Sequence, residues 1–365
     1  MHVVQVIVLH RGPGRRDPEI PLVPCEGHLL GVLGRRYPPK RSSTLVFRKT
    51  WPADSVFPVM PRRLRHVLPN QPVEITQRTF QGRFLLKPSL EMNRVIQGVL
   101  GRAVRKYNMI LHAFTFLSNH YHLIITPRDA QHQAAFVGYL NGNLAREIRH
   151  LCGWPEKIWG RRYASVPITR QRRAQVDRLR YVLAQGVKEG LVAKALDWPG
   201  VSGLRQMLDP SQEIVGVWYD RTRAYRLRLA GREVRPEDWT VEERIQLTPL
   251  PALASLSVER RIALIEKLVA EIEHEAELAR PRPVMGVAAI LRQHPHDAAP
   301  PKKRSLIPLV HAASRATWMA FRDAYRAFIA AYAVARNRLR AGVKAVAFPL
   351  GSFPSPMPFV SFAPA

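Results

Sequence analysis

An apolar run in the first half of the chain is divided in two by a polar dipeptide. Residues 109–116 and 120–126 each have the length and the content of aromatic and β-branched side chains that are typical of a buried strand. The dipeptide Ser118-Asn119 between them suits a tight turn. The run therefore predicts an antiparallel hairpin, which constrains the chain to a fold that contains a sheet.

Segments of helical and strand-like periodicity surround this hairpin. In chain order we predict a strand at 73–80, a helix at 88–106, the hairpin, a helix at 129–151, a strand at 158–168 and a helix at 171–187. This order predicts an α+β fold in which an antiparallel sheet carries helices on one face. The second strand of the hairpin should be a central strand of that sheet.

Two histidines lie on this second strand. His120 and His122 are two residues apart, so their side chains point to the same face of the sheet, whereas Tyr121 points to the other. Two neutral imidazoles on one rigid face suit a divalent metal ion. Two such histidines without other motif residues more often share a strand by chance. The interpretation as a metal site therefore needs support from elsewhere in the chain.

A tyrosine and an amide share one face of the last predicted helix. Tyr181 and Gln185 are four residues apart, which places both on the same side of a helix. If that side meets the histidines, then His120, His122 and Gln185 could surround one ion beside a phenol, and mixed nitrogen and oxygen ligands suit Mn²⁺ or Mg²⁺. The alternative is an amphipathic helix whose Tyr181 packs in the core.

The chain is strongly basic. It has 56 Lys and Arg against 28 Asp and Glu, a formal net charge of +28 and a pI near 11.1, which indicates a polyanionic partner such as a phosphate backbone. No apolar run of about 20 residues could span a bilayer, so we expect no membrane partner. The two cysteines form no metal or disulfide pattern, and the first residues do not resemble a signal peptide, which fits a reducing compartment.

Arginines are concentrated near Tyr181. Residues 161–180 contain seven arginines and one acid, Asp177, with the aromatic rings of Trp159 and Tyr163 close by in the sequence. Arginines interleaved with aromatic rings are typical of single-strand nucleic-acid grooves, although an exposed basic helix face with no ligand is the alternative. The arginines that we predict to contact DNA are Arg78, Arg146, Arg161, Arg162, Arg172, Arg173 and Arg178.

Two segments resemble those of a known family. Residues 118–123 read Ser-Asn-His-Tyr-His-Leu, which resembles the histidine–hydrophobic–histidine motif of the single-tyrosine HUH transposases, and most of all their bacterial branch of REP-associated tyrosine transposases. Tyr181, then Gln-Gly-Val-Lys-Glu-Gly-Leu-Val at 185–192 and Trp-Pro-Gly-Val-Ser at 198–202, resembles that branch's tyrosine, Asn-Pro-Val-Lys-x-Gly-Leu-Val and Trp-Pro-x-Ser-Ser. At Gln185 an amide is kept where the family has its third metal ligand, although Gly186 replaces the proline.

The resemblance implies a ferredoxin-like HUH fold and an enzyme that cleaves and rejoins single-stranded DNA beside hairpins. Tyr181 would form a 5′-phosphotyrosine, with Mg²⁺ or Mn²⁺ held by His120, His122 and Gln185. The partner would be single-stranded or hairpin DNA, and the protein a monomer or homodimer at the nucleoid in a bacterial cytoplasm. Three alternatives stay open, namely a domesticated hairpin-binding protein that does not cut, a metal-dependent hydrolase that uses water, and a binder of structured RNA.

The domain organisation follows from composition and from the extent of the resemblance. Residues 1–70 are rich in Pro, Gly and Arg and predict a disordered basic arm. The catalytic domain is predicted at 72–204. Residues 205–345, with long amphipathic helices, predict a helical accessory domain, and residues 346–365 a Pro-rich tail.

Overall fold

A computed structural model describes residues 63–300 and 306–353. No helix in these two ranges is long and apolar enough to cross a membrane. In chain order the strands and α-helices are β1 Val73–Arg78, α1 Leu90–Tyr107, β2 Ile110–Leu117, β3 His120–Thr126, α2 Ala130–Cys152, β4 Ala164–Pro167, α3 Arg172–Leu183, α4 Gln185–Lys188, α5 Leu204–Leu208, β5 Ile214–Tyr219, α6 Arg221–Leu229, β6 Thr240–Ile245, α7 Val258–Ala279, α8 Val287–Arg292 and α9 Arg315–Arg340.

The first four strands form one antiparallel sheet. Its strand order is β2-β3-β1-β4, and the chain runs β1-α1-β2-β3-α2-β4, which is the ferredoxin-like arrangement. The predicted α+β class is therefore confirmed. The strand β3 is central, because it pairs with β1 on one side and β2 on the other. In this register His122 lies opposite Thr76 of β1 and Thr115 of β2.

Helices cover both faces of the sheet. The helices α1 and α2 pack on the face that carries Tyr121, Leu123 and Ile125, and together they form one apolar core. The helix α3 lies on the other face, where Ala113 and Ile124 belong to a second core. The sequence predicted helices on one face. The second face is also covered, because α3 and α7 both carry apolar stripes that are buried there.

Local side chains set the ends of the first two helices. The side chains of Ser89 and Asp129 accept hydrogen bonds from backbone N–H groups three residues on, at 3.0 and 2.7 Å, and so cap the starts of α1 and α2. Both helices end at a residue in the left-handed conformation, Asn108 (φ 47°) and Gly153 (φ 58°). These signals explain why the predicted bounds of α1 and α2 lie within about two residues of the observed ones.

The chain after residue 204 is not only helical. β5 and β6 form a two-stranded antiparallel sheet that packs on α1, with Ile214 and Ile245 in the same core as the main sheet. The helix α7 packs on α3 and α4. Residues 205–345 therefore combine the predicted helices with this small sheet, in which alternate residues of β5 are buried on α1.

Residues 63–70, which were predicted to belong to a disordered arm, pack on α9 instead. Val67 is fully buried and its N–H donates to the carbonyl of Gly351 (3.0 Å). The ring of His66 stacks on Phe328 of α9, with 4.2 Å between centroids. The remainder of the predicted arm, and the predicted tail beyond residue 353, lie outside the described residues.

α1 and β5 touch backbone to backbone at Gly98 and Gly216. A Cβ atom on Gly98 would lie 2.1 Å from the main-chain carbonyl of Val217. Because main-chain atoms cannot move aside, we expect Gly98→Ala to lower the free energy of unfolding by about 1–3 kcal/mol or more, measured by urea denaturation. Gly138→Ala on α2 is the matched control. Nothing lies within 4 Å of its new methyl group, so it should raise stability by about 0.4–1 kcal/mol. Equal effects would contradict the close approach.

Candidate active site

His120 and His122 lie side by side on the face of β3 that is covered by α3. Their ring centroids are 5.1 Å apart, and the residues are 7% and 4% exposed. Tyr121 points to the opposite face, where its hydroxyl donates to Oδ1 of Asn141 at 2.6 Å and burial raises the pKa of the phenol. The two-residue period of the strand thus brings the imidazoles together and keeps the intervening phenol away from them.

Both imidazole rings are hydrogen-bonded through Nδ1. Nδ1 of His120 lies 2.6 Å from Oδ1 of Asn119. Nδ1 of His122 lies 2.8 Å from Oε1 of Glu74 and 3.1 Å from Oγ1 of Thr76. An oxygen acceptor on Nδ1 favours the tautomer whose lone pair is on Nε2, and metal-binding histidines are oriented by such acceptors. Both imidazoles therefore have an oxygen acceptor at Nδ1, which is the support that a metal-binding histidine requires.

α3 brings Tyr181 to this histidine face. The phenol ring stands edge-on to the ring of His122, with 5.5 Å between centroids and 77° between planes. Leu179 and Val182 on the same helix are buried in the second core, which fixes α3 against the sheet. Tyr181 itself is half-buried at the edge of that core. Its ring therefore packs on apolar neighbours and also meets a predicted metal ligand.

Two cations lie over the ring of Tyr181. The guanidinium carbon of Arg178 is 3.9 Å, and Nζ of Lys188 4.3 Å, from the ring centroid. Burial and then the charge of Glu74 raise the pKa of the phenol, and Arg178 and a hydrogen bond from Gln185 lower it in part. The net pKa is raised, so the phenol is protonated at neutral pH. Nearby positive charge would stabilise the phenolate during a reaction.

Gln185 is the first residue of α4, directly after the turn that ends α3. It is 1% exposed, and its Nε2 donates to the carbonyl oxygen of Tyr181 at 2.7 Å. Because this bond uses the amide nitrogen, Oε1 is the atom by which Gln185 could bind a cation. In the described part of the chain, no group of three or more His, Cys, Asp and Glu side chains could hold a metal ion. A metal at His120 and His122 would therefore take its other ligands from outside these four residue types, and Gln185 is the third ligand that was predicted.

Glu74 of β1 organises the site and was missed in the sequence. Its Oε1 bonds His122, and its Oε2 accepts from Nη1 of Arg178 and from Nε2 of His311, both at 2.9 Å. Burial alone would raise the pKa of Glu74, but the bonds from His122 and His311 and the charge of Arg178 hold that pKa well below its usual value. The buried carboxylate is therefore ionised, and it links a histidine of the site to the cation over Tyr181.

His311 reaches this cluster from the segment before α9. Its N–H donates to the carbonyl of Pro167 (2.8 Å) and its carbonyl accepts from Thr169 (2.9 Å), which aligns the segment beside the end of β4. Burial lowers the pKa of His311. Nothing in the local sequence indicated which strand this segment joins. Glu74, in contrast, could have been found from the sequence, because it shares a face of the predicted first strand with Thr76, two residues on.

Arg178, which was predicted to contact DNA, lies inside the cluster that contains His122 and Tyr181. Its side chain is 17% exposed, it pairs with Glu74, and it stacks on Tyr181. A buried acid that is distant in the sequence therefore already binds this cation. Its position fits a role in placing the tyrosine.

The other predicted arginines are exposed, but they do not all lie on one side of the sheet. Arg78 is opposite His120 in the register and so shares its face. Arg172 and Arg173 begin α3 on that same side, and Arg173 lies 3.8 Å from Asp177. Arg146 is on α2, which packs on the opposite face. The remaining two, in the loop before β4, are Arg161 and Arg162.

Comparisons with known proteins gave one family match and several similar solved structures. Residues 85–185 match the family described as "Transposase IS200 like". Among solved structures, the chain is similar to a REP-associated tyrosine transposase bound to a REP hairpin, with 18% identity over 53% of this chain and 96% of that chain and a TM-score of 0.34. It is also similar to a putative transposase from Deinococcus radiodurans R1, with 19% identity over 29% of this chain and 85% of that chain and a TM-score of 0.23. A comparison with curated proteins gave no match.

Proposed function

We propose that this chain, whose residues 85–185 match the IS200-like transposase family, cleaves and rejoins single-stranded DNA beside a hairpin through a 5′-phosphotyrosine at Tyr181. The observation that carries the proposal is the edge-on contact of Tyr181 with His122, at 5.5 Å between centroids. We infer that one phosphodiester would lie between the phenol oxygen and the two imidazoles. The net charge of +28 favours a nucleic-acid partner.

The side chains fit a divalent metal ion. His120 and His122 present imidazoles whose Nδ1 atoms are held by Asn119 and Glu74, and Gln185 has an amide oxygen that its own hydrogen bond does not use. These three residues would hold Mg²⁺ or Mn²⁺. When bound, such an ion supplies Lewis-acid polarisation of a phosphate oxygen.

The residues of the chain have separate parts in the proposed reaction. The phenol of Tyr181 loses its proton to solvent, and its oxygen attacks phosphorus. The bond from phosphorus to the 3′-oxygen breaks, and that oxygen takes a proton from solvent and leaves as a 3′-hydroxyl. Arg178 stabilises the negative charge that develops on the phenol oxygen when it loses its proton. Glu74 holds Arg178 and His122 in position. A 3′-hydroxyl from another strand end reverses the step and joins the two strands.

Metal removal gives a direct test. Incubation with EDTA is expected to abolish the covalent adduct between the wild-type protein and a hairpin-flanked single strand, and added Mn²⁺ or Mg²⁺ should restore it. His122→Ala should lower adduct yield by more than the roughly 10–100-fold that loss of an outer-shell partner costs. The matched control is His150→Ala, since His150 is exposed on α2 and should have no effect. If the wild-type protein forms no adduct with such strands and Mn²⁺, cleavage is excluded and hairpin binding without cleavage is the reading that survives.

A further inference from the structure

A short basic helix outside the family match carries a cluster of arginines. We define the α6 surface as Arg223, Tyr225, Arg226, Arg228 and Arg232. All five are exposed, Tyr225 to 60%, and residues 221–232 contain no acid. Within the part of the chain that the structure describes, none of these four arginines forms an ion pair. Their charge is therefore available to an anionic partner.

The helix is held firmly although it buries little. Arg221 forms two hydrogen bonds to the carboxylate of Glu147 on α2, at 2.7 and 2.5 Å, and that carboxylate is buried. The side chain of Asp220 caps the helix by accepting from the N–H of Arg223 at 2.9 Å. Ala224 is the one buried residue of α6. Apolar packing therefore does not explain why the side chains of the α6 surface point outward. The ion pair between Arg221 and Glu147 holds the helix in a fixed position on α2.

The α6 surface lies in the α1–α2 layer, on the opposite side of the sheet from His120 and His122. It cannot contact the phosphate that Tyr181 would attack. A ligand of this surface must therefore be a part of the nucleic acid that is distant from the cut.

We propose that the α6 surface binds the double-stranded stem of the hairpin substrate through its phosphates. This rests on the proposed function for the presence of a hairpin. The surface has four arginines and one exposed ring, whereas single-strand grooves use a series of rings on which successive bases stack. Duplex phosphates need cations at fixed positions, and they need no stacking partners. The arrangement therefore favours a duplex over a single strand.

The test compares two labelled oligonucleotides with the full-length chain. One carries a hairpin with a single-stranded flank, and the other has the same length and composition but no stem. In the triple variant Arg223→Ala/Arg226→Ala/Arg228→Ala, affinity for the hairpin is expected to fall at least about 10-fold at low salt, with the salt slope reduced by about 0.9 for each lost phosphate contact. Affinity for the stemless strand should stay within about twofold, because its cations lie elsewhere.

A matched triple variant removes the same charge from other exposed sites. Arg282→Ala/Arg338→Ala/Arg340→Ala should weaken both oligonucleotides slightly and equally. Lysine at the three α6 positions should keep most of the affinity, since phosphate contacts need charge more than shape. Equal losses in the two alanine variants, or an equal loss for the stemless strand, would overturn the proposal. Adduct formation is measured separately. If the wild-type chain binds the stem through α6 but forms no adduct, the cleavage proposal is refuted and the α6 proposal stands.

Discussion

The Tyr181→Phe variant is expected to form no covalent protein–DNA adduct, while it folds and binds hairpin DNA nearly as the wild type does. The substitution removes only the phenolic oxygen. The ring that contacts His122, Arg178 and Lys188 remains, so stability should change by no more than about 0.5 kcal/mol. The measurement is a denaturing gel with the DNA labelled at its 3′ end, because the fragment that carries the 5′-phosphate would stay on the protein.

Two other tyrosines of the same domain provide the controls for this experiment. Tyr107 and Tyr139 face each other at 5.7 Å in the layer of α1 and α2, on the opposite side of the sheet from the histidines. Tyr107→Phe and Tyr139→Phe should therefore form adducts at the wild-type rate. Strand cleavage that persists in Tyr181→Phe would instead indicate water as the nucleophile, and the protein would be a metal-dependent hydrolase.

Local rules were sufficient to predict the sheet and the pairing of the histidines. The two-residue period of a strand puts His120 and His122 on one face whatever the rest of the chain does. The turn at Ser118-Asn119 and the caps at Ser89 and Asp129 set the element ends by contacts within a few residues. These features depend on neighbours in the sequence, and so the sequence alone was enough to predict them.

The supports of the site could not be predicted in the same way. Glu74 meets Arg178 across 104 positions and His311 across 237 positions, and both contacts depend on which strands pair and in which register. The count of arginines near Tyr181 included Arg178 as a free cation, because its acidic partner Glu74 lies on β1, distant in the sequence. The composition gives the charge of a segment, but it does not show which acid neutralises a given arginine. The same reason explains why residues 63–70 were assigned to the arm although they pack on α9.

Loss of the Glu74 carboxylate is expected to have the largest effect on stability among substitutions near the site. In Glu74→Leu, Arg178 and His311 lose their buried acceptor, and breaking a buried ion pair from one side costs about 3–5 kcal/mol of unfolding free energy. Because the folded-state pKa of Glu74 is lowered, the stabilisation is present above the unfolded pKa of about 4.3 and is lost as pH falls through the folded value. Urea denaturation across pH measures both effects.

A double variant separates stability from positioning. Glu74→Leu/Arg178→Met removes both charges, and apolar replacement of a whole buried pair is often neutral or stabilising, so much of the lost stability should return. Adduct formation should stay low, because His122 then lacks its acceptor and Tyr181 lacks the guanidinium over its ring.

Glu243 supplies the matched control for Glu74. Its buried carboxylate pairs with Arg102 and Arg105 of α1, in the layer away from the histidines. Glu243→Gln should therefore destabilise the fold while each folded molecule still forms adducts at the wild-type rate. Glu74→Gln should reduce the adduct rate per folded molecule by about 10–100-fold, the range found when a histidine ligand loses its orienting partner. Wild-type adduct rates in folded Glu74→Gln would mean that Glu74 stabilises the chain without positioning Tyr181 or His122.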